Sequence, residues 1–103
     1  MTKWEYCRLR VVFVFLDESE REEYAQAHPR QELKKQGDFY LSEDARLRIY
    51  GKDDKARKIE NVGDTIAELG LQGWELVSHI TETTTTGGTI NEILTFKRPL
   101  PEE

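Results

Sequence analysis

The sequence predicts an α+β fold: an antiparallel sheet of about four to five strands with one or two helices packed on one face, forming a single domain over residues 1–103. Three observations carry this. A strand-like alternation opens the chain, a helical periodicity occupies residues 61–73, and two strand-like runs separated by glycines close it. A chain of 103 residues withdraws roughly two thirds of its unfolded surface from water, enough for one modest core and no second domain.

From Lys3 to Leu16, Cys7, Leu9, Val11, Phe13 and Phe15 share one face, while Tyr6, Arg8 and Arg10 share the other. The second half, "VVFVFL", is apolar on both faces. Such a strand is central or covered twice, and in so small a protein the second cover is expected from another subunit. "DESEREEYAQAHPRQELKKQG" then reads as helical. Ser19 and Glu22 form a capping-box pattern, acidic residues gather at the start, and a short helix is expected from about Glu20 to Ala27. His28 precedes Pro29 and breaks that helix; a second short helix, or a kinked continuation, is expected to end near Lys34, Lys35 and Gly37. Phe39–Leu41 and Arg46–Tyr50 read as short strands separated by a turn.

Val62, Ile66 and Leu69 recur at helical spacing, with Asn61 or Asp64 able to cap the start and Gly70 and Gly73 able to end it. Trp74 begins the next strand. In the closing hairpin, a three-residue loop over residues 86–88 pairs Ile80 with Leu94 and Ser78 with Phe96, a better core face than a tight turn on Gly87 and Gly88 provides. Thr83–Thr86 then forms the far end of a hairpin projecting beyond the core.

Composition narrows the function classes. Net charge is -5, which argues against general nucleic-acid binding, because that needs a basic face to displace counterions. One cysteine excludes an internal disulfide, and no Cys/His cluster has structural-zinc spacing, so neither metal nor cofactor is expected. The charged N-terminal residues do not resemble a signal peptide, and no apolar run reaches the roughly 18 residues of a membrane helix. A cytoplasmic protein without membrane contact is expected.

"KWEY" at residues 3–6, "IAELGLQGWELVS" at 66–78 and "LTFKRP" at 94–99 resemble domain-of-unknown-function family 4177, small bacterial and phage proteins with a hairpin opened by Gly-Trp-Glu-Leu. Relative to the compact family pattern, residues of about 17–60 look like an insertion. The resemblance implies the fold and no catalytic residues.

The candidate sites each have a plain alternative. His79 and Ser78 are chain neighbours on opposite strand faces and cannot form a catalytic pair; His28 reads as a loop residue and Cys7 as a small core hydrophobe. No enzyme is expected. The "DESEREE" carboxylates lack the alternation of a calcium loop. Arg8 and Arg10 alternate on one strand, and Arg46 and Arg48 repeat the spacing on another. If those strands share a face, four guanidiniums repel one another unless acids such as Glu5, Glu43, Glu75 or Glu92, or an anionic ligand, lie among them. Thr84, Thr85, Gly87 and Gly88 offer hydroxyls and backbone N–H groups to an anion, although turn chemistry also accounts for the glycines. The expectation is a non-enzymatic, self-associating homo-oligomer holding a small anionic ligand, such as a nucleotide signal, near a subunit interface; the alternative is a protein-interaction or structural module.

Overall fold

The computed structural model describes residues 2–84 and 88–101. Its elements are β1 (Trp4–Leu16), α1 (Glu18–Ala27), β2 (Leu33–Gln36), β3 (Phe39–Ile49), β4 (Arg57–Ile59), α2 (Val62–Leu71), β5 (Glu75–Thr83) and β6 (Thr89–Pro99). Among the described residues six strands make one sheet in the order β2-β3-β1-β6-β5, with β4 also paired to β3, and every pairing is antiparallel. The α+β class holds, with six strands where four to five were expected.

β1 lies at the centre because it is the apolar strand. Cys7, Leu9 and Val11 are almost fully buried between Ile49, Leu47 and Ala45 of β3 and, on the other side, Phe96, Leu94 and Glu92 of β6. Leu69 of α2 and Trp74 join this cluster, so α2 covers what we term the inner face. Asn61 starts α2 by accepting a hydrogen bond from the Asp64 N–H at 2.9 Å, and Gly73 reverses the chain at φ +88°, a conformation that suits glycine.

The helices do not share a face. Tyr24 of α1 donates its hydroxyl proton to Ser42 Oγ at 3.1 Å, and Arg21 lies over the Tyr40 ring at 4.9 Å; Ser42 and Tyr40 oppose Val14 and Leu16 on the outer face. The doubly apolar end of β1 therefore finds part of its second cover within its own chain. α1 begins earlier than the sequence pattern indicates. Asp17, not Ser19, is the cap, with Glu20 completing the box, because the Asp17 carboxylate reaches the Glu20 N–H at 2.9 Å. Hydrogen bonds from the Ser19 hydroxyl and then the Glu20 N–H hold the Asp17 carboxyl below its usual range.

The second helix expected between Pro29 and Gly37 does not form. Leu33–Gln36 instead pairs with Phe39–Ser42 across a two-residue Gly37-Asp38 turn, with Gly37 at φ +62°. The two short strands expected after it are one continuous strand, since β3 follows β1 over ten unbroken partner pairs from Cys7↔Ile49 to Leu16↔Tyr40. The closing hairpin is one residue out from the expected register: His79 opposes Leu94 and Ile80 opposes Ile93. An irregularity between Leu76 and Ser78 widens the difference to two residues at the start of β5, where Leu76, not Ser78, opposes Phe96. Nor does the described part of the hairpin's loop end project freely. Val14 pairs with Thr89, and the Phe15 N–H donates to the Gly88 carbonyl at 2.9 Å.

Candidate functional site

The unbroken β1–β3 register decides where the arginines go. Arg8 is directly opposite Arg48 and Arg10 directly opposite Arg46, so four guanidinium side chains issue from one patch of the outer face. Arg8, Arg10 and Arg46 are exposed and Arg48 is half-buried. Like charges opposed across a ladder are destabilising, so their partners matter. None of the four acids considered from sequence supplies one. Glu43 opposes Phe13 and Glu92 opposes Val11 on the inner face, Glu5 is buried there with Arg98, and Glu75 opposes Lys97.

What the arginines do touch is mostly neutral. Arg10 donates to Asn91 Oδ1 at 3.2 Å, and Arg48 donates to the Asp53 carbonyl at 3.4 Å. Arg8 and Arg48 lie 5.8 and 5.0 Å from the Tyr50 ring centre. Among the described residues their one acidic partner is Asp44, 3.1 Å from Arg46. The acid that pairs is two positions along the same strand face, a spacing visible in "EDARLR".

The threonine and glycine candidates lie elsewhere. Thr84 accepts at Oγ1 from the Thr89 N–H at 3.3 Å, and Gly88 lies beside Phe15. Arg10 and Val14 are four residues apart along β1, about 14 Å, so one small ligand does not span the arginines and the hairpin loop of the same subunit. Thr85 and Gly87 lie outside the described residues.

Other titratable groups are accounted for by structure. His79 Nε2 is 3.6 Å from Glu92 at the sheet edge, and the His28 ring stacks on Tyr24 with centres 4.2 Å apart. Among the described residues no group of three or more His, Cys, Asp or Glu is placed to hold a metal, and no helix is long and apolar enough to cross a membrane. Cys7 has no exposed surface, and its thiol is pushed up to about 11, by burial first, with nearby Arg98 opposing and Glu5 adding. At pH 8 native Cys7 is expected to react with a disulfide reagent at least about 100-fold more slowly than in the urea-unfolded chain, measured by absorbance of the released thiolate. The unfolded thiol loses its proton near pH 9 and the folded one near pH 11, so in that window the folded chain holds more protons and stability falls as pH rises.

The three segments that resemble a known family meet in one cluster. Glu5 from "KWEY" pairs with Arg98 from "FKRP"; Arg98 also donates to the Gln72 carbonyl at 3.1 Å and lies 4.3 Å from the ring centre of Trp74. Lys97 Nζ lies 4.1 Å from the Trp4 ring. The motif residues thus join the two ends of the chain to the end of α2. The sequence profile of DUF4177, a domain of unknown function, matches residues 42–99, more than half of the chain.

The chain belongs to the DUF4177 family.

The matched segment takes in β3 from Ser42 onward, β4, α2, β5 and β6, so in this DUF4177 protein two of the four arginines, Arg46 and Arg48, lie inside it and two, Arg8 and Arg10, come from β1 before it. No curated protein matches the chain. A crystal structure of a conserved kinetoplastid-specific protein from Trypanosoma cruzi is similar at 15% identity over 91% of this chain and 95% of that one, with a TM-score of 0.38, a likeness too loose to carry a structural argument.

Proposed function

We propose that this DUF4177 protein is a non-enzymatic binding module that self-associates and holds a small anionic ligand, such as a nucleotide signal, on the arginine face near a subunit interface. One observation carries the reading. In a chain of net charge -5, two directly opposed arginine pairs share one open face with, among the described residues, a single acidic partner. An anion there relieves the repulsion and meets fork-shaped donors suited to phosphate or carboxylate. The need for a second copy follows from shape. Small-ligand sites are concave, whereas this one is the surface of a sheet, and a neighbouring subunit would enclose it. Sequestering such a ligand in the cytoplasm is the role that fits.

The test is calorimetry against a panel of cyclic and linear nucleotides, with native mass spectrometry reporting oligomer and retained ligand. Each guanidinium contact to a charged ligand contributes about 1.5–3 kcal/mol, so Arg8→Gln with Arg48→Gln is expected to weaken binding by roughly 100-fold or more. A panel that binds nowhere, or binds the double variant equally well, overturns the reading.

A second reading, a protein-interaction module, has its own observation. β5 is a nine-residue edge strand on which Leu76, Val77 and Ile80 are 49%, 45% and 49% exposed, a template for strand addition. Capture of a defined partner that is lost on Val77→Lys would favour it.

A further inference from the structure

The arginine patch does not end in solvent. One row further along the same face, the Tyr50 N–H donates to the Tyr6 carbonyl at 3.0 Å, which continues the β1–β3 ladder and sets the two tyrosines beside each other. Tyr6 remains 45% exposed and Tyr50 39%. Trp4 follows on β1, 39% exposed, with Lys97 over its ring. Successive rows on one strand face are about 7 Å apart. The outer face thus carries an aromatic band directly beside a guanidinium band.

From this we infer that Tyr6 and Tyr50 form a stacking subsite, so that the ligand of the arginine face is a nucleotide, its base on the tyrosine row and its phosphates on Arg8, Arg10, Arg46 and Arg48. The inference rests on the anion-binding reading and narrows it. A bare phosphate or an acidic peptide uses only the guanidiniums and leaves the exposed part of both phenol rings unused. A nucleotide carries an aromatic ring and a charged group joined by one sugar, which matches two adjacent bands of opposite character. Base stacking on an aromatic side chain is independent of base identity, since every base has a π face. The guanidiniums of Arg8 and Arg48 contribute as well, because both already lie against Tyr50 and present planar, weakly hydrated surfaces. The negative charge of the whole chain does not oppose this, because among the described residues Asp44 is the one acid paired with the four arginines.

The test titrates the full chain with ADP, ribose 5-phosphate and pyrophosphate, then repeats the titrations on Tyr6→Leu and Tyr50→Leu. ADP is expected to bind at least about tenfold more tightly than either base-free probe. Each substitution is expected to cost ADP roughly 5- to 100-fold, and Tyr6→Leu is expected to leave pyrophosphate unchanged. Tyr6→Leu is the cleaner variant, because the Tyr6 ring has no arginine stacked on it, and circular dichroism confirms the fold of both. Equal affinity for ADP and pyrophosphate, or ADP binding unaffected by both variants, overturns the stacking subsite while leaving the anion reading intact. Binding of none of the three probes removes both. A tetrathymidylate that binds more tightly than ADP assigns the subsite to single strands, one that binds no more tightly assigns it to free nucleotides, and in both cases Tyr6→Leu must weaken it.

Discussion

Arg98→Ala is expected to destabilise the protein by about 3 kcal/mol, lowering the melting temperature by roughly 10–20 °C in a domain of this size. The side chain of its partner Glu5 is 6% exposed and pairs with Arg98. With Arg98 gone, the remaining cation is Lys52, whose Nζ is 3.8 Å from Glu5 and whose side chain is 58% exposed, a weak substitute. The Gln72 carbonyl at the end of α2 also loses its donor, and Trp74 loses a guanidinium from its ring. The double variant Glu5→Gln with Arg98→Met separates these causes. Replacing both charges leaves none buried alone, so it is expected to recover more than half of the loss in urea unfolding. A double variant as unstable as Arg98→Ala would show that packing on Trp74, and not the ion pair, is the larger contribution.

Leu9→Ala is expected to cost about 2–5 kcal/mol. Leu9 has no exposed surface and lies in the central strand between Leu47 of β3 and Leu94 of β6, under α2. A sheet fixed by ladders on both sides collapses poorly into the space left by a lost isobutyl group, so the cavity persists. Leu71→Ala is the control. Leu71 is 90% exposed, and its loss is expected to stay within about 0.5 kcal/mol, since almost none of its surface leaves water on folding. Urea titrations of both variants with a common slope check the pair.

Period-two alternation from Tyr6 to Val11 identified the central strand and both its faces, because alternate side chains of any strand point to opposite sides. The spacing of Val62, Ile66 and Leu69 identified α2 for the matching helical reason. The segment after Pro29 is ambiguous in sequence because lysines near a glycine suit a helix end, while "QGDF" suits a hairpin turn equally well; pairing with β3 decides between them. Asp17 and Ser19 are both good caps by type, and only the position at which the chain leaves β1 selects Asp17.

For the candidate site the division is similar. Arg8 with Arg10 and Arg46 with Arg48 were visible as two alternating pairs, since that is a local property of each strand. That they face one another, that Asp44 is their acidic partner, and that Tyr6 and Tyr50 form the next row all depend on the register between β1 and β3. Glu5 and Arg98 are 93 positions apart, and no periodicity links them. The sequence by itself therefore determined which residues share a strand or helix face, because backbone geometry fixes those relations within a few residues. The tertiary structure alone decided which faces meet, because register and helix placement are set by burial of apolar surface across distant parts of the chain.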